Sequence, residues 1–105
     1  MSYPQPDQQE IAESSLVVAA PDQISSDLGG EAVILNMKTG VYHGLNEVGA
    51  RVWDLIEQPK AVKEIKQTLL EEYEVEADAC TNDLFSLLNN LKTAGLIQVI
   101  NETAA

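Results

Sequence analysis

The apolar pattern of the chain changes period at Asn46, and no other feature of the sequence limits the fold as strongly. Upstream, "LVVAA" at 16–20 and "QISSDLGGEAVILNM" at 23–37 are short extended segments broken by Pro21 and by Gly29-Gly30. In the second run Val33, Leu35 and Met37 share one face, and Ala32, Ile34 and Asn36 the other. "NMKTG" predicts a hairpin loop in which Gly40 takes a positive φ, with Val41 to Leu45 as the returning strand. Downstream the spacing is helical. Asn46 is placed to cap a first helix, and Glu47 suits the positive end of its dipole. Val48, Val52, Leu55 and Ile56 form its apolar stripe with Trp53 alongside, and Pro59 ends it.

Val62, Ile65, Leu69 and Tyr73 define a second helix. Its start is weak, because Ala61 stands where Ser or Thr would supply a capping oxygen, a deficit of about 1 kcal/mol unless another group caps it. In a third helix at 78–94, Cys80, Leu84, Leu87, Leu88 and Leu91 share a broad face, and Gly95 is placed to close the end in the left-handed conformation. "LIQVI" adds a final short strand. Strands followed by three closely spaced helices define an α+β domain, winged-helix-like, with a three-stranded antiparallel N-terminal sheet packed against three C-terminal helices.

Charge removes several function classes. With 105 residues the chain holds one modest core, and its net charge of -11 repels nucleic-acid phosphates and anionic membranes. Basic partners are favoured instead. A winged-helix DNA reader would have only Lys60, Lys63 and Lys66 as a phosphate footprint, and no arginine is placed to read bases. No apolar run is long enough to span a bilayer, the first residues lack a signal-peptide pattern, and one cysteine forms no internal disulfide, so a cytoplasmic location is expected. The polar stretch 1–15, with Pro4 and Pro6, is expected to be a disordered acidic tail, and 101–105 a flexible C-terminus around a domain at 16–100.

The residues capable of chemistry are few. His43 in the returning strand and Cys80 in the third helix are too far apart in sequence, and too few, for a zinc site. Cys80 reads as a small buried hydrophobe, Trp53 as the anchor that packs the first helix on the sheet, and His43 as a half-exposed strand residue. Nothing resembles an oriented triad, an oxyanion loop or a phosphate-binding glycine run, so neither enzymatic activity nor a cofactor is expected. The acids Glu71, Glu72, Glu74, Glu76 and Asp78 ordinarily make a solvated surface; their functional reading is steering of a basic partner. Asp83, one turn into the third helix, is explained by the helix dipole or by a peptide contact.

An ordered set of motifs adds to this. "ILNMKTGVYHGLNEVGARVWDLI", "VKEIKQTLLEEYEV" and "DLFSLLNNLKTAGLI" resemble the PqqD-like family over about 16–99. The resemblance rests on Gly40-Val41-Tyr42, Leu45-Asn46 with Gly49, Trp53, Tyr73, Asp83 with the leucine ladder, and Gly95-Leu96. Members of that family recognise the leader segments of ribosomally made peptides that are later modified, in pyrroloquinoline quinone and lasso-peptide pathways among others. The acidic N-terminal stretch has no counterpart in the pattern.

The resemblance implies a non-catalytic peptide chaperone. A leader would add as a strand to the open edge formed by Val41, Tyr42, His43, Gly44 and Leu45, in a groove whose other wall carries Asp83, Leu84, Leu87, Leu88 and Leu91. Most of the ladder is expected in the core, with one or two members reaching the groove. Main-chain hydrogen bonds are worth about 1 kcal/mol each, so they fall short of the roughly 8 kcal/mol of micromolar binding, and apolar anchors must supply the rest. The implied partners are the precursor leader peptide and a leader-cleaving protease or other modifying enzyme. In the favoured lasso-type pathway an ATP-dependent ring-closing synthetase follows; in a quinone-type pathway the partner would be a radical enzyme. A homodimer through the exposed strand edge is a further expectation.

Overall fold

The computed structural model describes residues 11–100, and the expectations for 1–10 and 101–105 lie outside them. In chain order the elements are β1 (Leu16–Ala19), β2 (Gln23–Asp27), β3 (Ala32–Asn36), β4 (Val41–Leu45), α1 (Glu47–Leu55), β5 (Lys60–Ala61), α2 (Val62–Glu72), α3 (Ala77–Thr93) and β6 (Ile97–Ile100). The α+β architecture and its three helices are as the periodicity requires. The strands divide into two antiparallel sheets. One, in the order β2-β3-β4, is the three-stranded N-terminal sheet; the other, β5-β1-β6, joins the two ends of the described chain.

β1 does not join the hairpin. Its Val17 is fully buried and pairs with Val99 of β6 on one side and Lys60 of β5 on the other. This pairing also settles the weak start of α2. Lys63 donates its amide to the carbonyl of Glu13 at 3.0 Å and Val62 to that of Ser15 at 3.0 Å, while Glu64 accepts from the amide of Ala61 at 3.1 Å. Main-chain oxygens thus take over from the missing Ser or Thr at the first two amides of α2. The expected tail boundary moves accordingly: Ile11 packs against the core and Ser15 is buried, so the folded unit begins ahead of Leu16.

The hairpin β3–β4 pairs Asn36 with Val41 and Ala32 with Leu45, around a loop in which Gly40 has φ 73°. Its inward face carries Ala32, Ile34 and Asn36, all buried, although Val33, Leu35 and Met37 form the more apolar alternative. Asn36 explains the choice. Its Nδ2 donates to the carbonyl of Ala94 at 2.8 Å, at the end of α3, and its Oδ1 accepts from the amides of Lys38 at 2.9 Å and Thr39 at 3.3 Å. A buried amide side chain is tolerated when its bonds are made, and these tie the hairpin to α3.

α3 closes as expected. Gly95 adopts φ 75°, Leu96 donates to Leu91 at 2.9 Å and Gly95 to Lys92 at 3.0 Å, the paired bonds of a Schellman motif. α1 and α2 are joined by Arg51, whose Nε and Nη2 donate to the two oxygens of Glu72 at 2.8 and 2.7 Å. That pairing lowers the Glu72 carboxyl from its ordinary value, chiefly through the hydrogen bonds from Arg51. A depressed folded value means that the contribution is complete at neutral pH and is lost as the pH falls through that value. Thermal melts of Glu72→Gln are therefore expected to lie below wild type at neutral pH and to converge on it in acid.

Candidate functional site

β4 is the outer strand of its sheet: β3 pairs with one edge, and no described strand pairs with the other. Alternate residues of such a strand point main-chain donors and acceptors into solvent. Tyr42 and Gly44 lie on the outer face with Leu35 and Val33 beside them, while Val41, His43 and Leu45 face inward opposite Asn36, Ile34 and Ala32. Tyr42 is 69% exposed and Leu45 only 8%, so the strand enters solvent at one end and the core at the other.

From Leu45 the chain turns directly into α1, because Asn46 Oδ1 accepts from the amide of Gly49 at 2.9 Å. A Cβ on Gly49 would lie 3.2 Å from that of Leu45 and 3.3 Å from Asn46 Oδ1, so glycine is what lets the first turn of α1 rest on the end of β4. Beside this junction a cavity of about 300 Å³ opens between α1, the end of α2 and the first half of α3. Its walls are apolar: Val48 and Val52 from α1, Leu69 from α2, and Cys80, Leu84 and Leu87 from α3.

The cavity therefore collects three of the expected site residues, Asp83, Leu84 and Leu87. Leu88 and Leu91 belong to the core, where the broad apolar face of α3 packs inward, and do not line the cavity; Leu84, as buried as Leu91 at 3% exposed, forms its floor, and Leu87 is the ladder member that is only partly buried. The β4 residues flank the cavity without lining it. The other nine lining residues were not in the expected set, and three of them are informative. Val48 belongs to the apolar stripe of α1 but is exposed, Gly49 sits at the junction, and Val75 is an exposed apolar residue between Glu74 and Glu76. An apolar side chain isolated between two acids is the one sequence signal that points to such a wall.

Two chemical points follow. Burial pushes the Cys80 thiol up, so it stays protonated at neutral pH and is a poor nucleophile. Asp83 lies in the second turn of α3, which begins at Ala77, beyond the first turn where the dipole acts; the dipole explanation is thereby removed. Among the described residues no cluster of His, Cys, Asp and Glu is arranged to hold a metal, and no helix is long and apolar enough to cross a membrane.

An open sheet margin leading to an apolar cavity, on two small sheets and three helices, defines a winged-helix-like α+β domain. The chain belongs to the PqqD family: residues 31–97 match the family described as coenzyme PQQ synthesis protein D. It is similar to the solved structure of TbiB1 in complex with the TbiA(beta) leader peptide, at 32% identity and a TM-score of 0.72, over 77% of this chain and 94% of that one. It is also similar to lasso peptide synthetase B1 complexed with the leader peptide, at 25% identity and a TM-score of 0.69, over 83% and 99% of the two chains. Comparison with functionally curated proteins gives no match.

Proposed function

We propose that the domain is a non-catalytic chaperone that captures the leader of a ribosomally made precursor as an added strand on β4, and presents the precursor to separate processing enzymes. The unpaired margin of β4 beside the cavity is the observation that carries this reading. Main-chain pairing to Val41–Leu45 supplies register and little sequence preference. An apolar leader side chain entering between Leu84, Leu87 and Val48 supplies the anchor, worth about 1.5–3 kcal/mol when buried. Both structural neighbours are leader-peptide complexes and one is a lasso peptide synthetase B1, which supports a pathway in which a leader protease and an ATP-dependent ring-closing synthetase act on the captured precursor. The protonated, buried Cys80 suits a reducing, cytoplasmic setting.

Titration with leader peptides of ribosomally made precursors, followed by amide chemical shifts, tests the site. Shifts are expected at Val41–Leu45 and along α3. Methylating the leader's main-chain nitrogens one at a time gives the sharper result. Affinity should fall about tenfold at alternate positions, where the amide points at β4, and stay unchanged at those between. An equal response at both parities excludes strand addition.

A further inference from the structure

The cavity is apolar within, Asp83 is the acid that lines it, and four more acids adjoin lining residues in the chain. Glu47 lies between the lining residues Asn46 and Val48, Glu74 and Glu76 flank Val75, and Asp78 precedes Ala79. All five carboxylates are exposed, and none is in an ion pair with another described residue. The nearby cations do not balance them. Arg51 is held by both oxygens of Glu72, and Lys66 of α2 is the one basic side chain whose field reaches the Cys80 thiol in the wall.

Like charges around an apolar concavity repel one another and concentrate negative potential over it. Several other acids have a structural account: Glu72 joins two helices, Glu64 caps α2, Asp22 pairs with Lys38 at 3.2 Å, and Glu47 and Asp78 sit in the first turns of α1 and α3. Asp83 has none. It is too far into α3 for the dipole, it makes no ion pair with a described residue, and it lines the cavity that a peptide side chain would enter.

We propose that the cavity selects its ligand by charge as well as by shape: the occupant is a peptide whose apolar anchor is flanked within two positions by lysine or arginine, and Asp83 receives that cation. This inference rests on the peptide-capture reading above and adds the chemistry of the segment captured. A rim pair of this kind is worth little alone, so specificity comes from five carboxylates acting on one peptide, with a strong dependence on salt.

Selection of short random peptides on the immobilised full-length chain tests it. The enriched sequences should place a basic residue beside an apolar one and lose affinity at high salt. Asp83→Asn should weaken them about threefold and Asp83→Lys about tenfold, with the fold checked by thermal melting. Replacing the peptide's flanking lysine by glutamate should restore affinity for Asp83→Lys, a charge-swap rescue that a purely structural role for Asp83 would not produce. Enriched peptides with apolar anchors, no basic bias and no response to Asp83→Lys would overturn the charge selection and leave strand capture standing. Absence of any enriched peptide overturns both.

Discussion

Leu45→Glu is expected to unfold the domain, while the same substitution three residues earlier, Tyr42→Glu, leaves it folded. Leu45 is 8% exposed, faces inward opposite Ala32 and supports the first turn of α1 through Gly49. An ionised carboxylate there has no partner and cannot reach water, so the cost is several kcal/mol, a large part of the ~5–15 kcal/mol that holds such a domain together. Tyr42 is 69% exposed on the outer face, where a surface substitution moves stability by about 0.5 kcal/mol or less. The functional outcome runs the other way. A peptide strand seated on β4 would lose the tyrosine ring as its cross-strand neighbour, and its affinity for Tyr42→Glu should fall several-fold. Circular dichroism melts and peptide titration of the two variants separate the structural from the binding role of one five-residue strand.

The second large effect is at Asn36. Asn36→Ala removes the bonds to Ala94, Lys38 and Thr39, and strands a carbonyl at the end of α3 beside a buried gap. A loss of about 2 kcal/mol is expected, or roughly 8–16 °C in Tm for a domain of this size. Asn36→Asp should be worse at neutral pH. The carboxylate would keep the acceptors for Lys38 and Thr39 but face the carbonyl of Ala94 at the negative end of α3. Such a placement raises the folded-state pKa of the introduced acid above its unfolded value, so protonation stabilises the fold. The melting temperature of Asn36→Asp should therefore climb toward that of wild type as the pH is lowered. A variant that melts like wild type at pH 7 would remove the clamp between hairpin and helix.

The local devices of this fold are legible in the sequence. Asn46 caps α1, Gly40 turns the hairpin and Gly95 closes α3, because each is decided by its own backbone and nearest neighbours. Pairing between distant segments is different. β1 carries no mark that sends it to β6 instead of the adjacent hairpin, and β5 is two residues long, below the reach of any periodicity. The orientation of β3 is misleading by hydrophobicity alone, since a hydrogen bond from Asn36 to a residue 58 positions away outweighs the exposure of Met37. The open edge of β4 was implied by the family resemblance, since a hairpin alone does not say which of its margins stays unpaired. The cavity was not legible, because its walls come from Val48, Leu69 and Val75 as much as from the ladder of α3.

The central place of β1 in its sheet has a bearing on how this fold can be cut and grafted. The stretch matched to the family begins at residue 31, so an excision at that point would leave β5 and β6 with nothing between them and would strip α2 of the carbonyls of Glu13 and Ser15. Any fusion that transplants this recognition element onto an enzyme has to carry the chain from Ile11 onward, or the graft arrives without its keel.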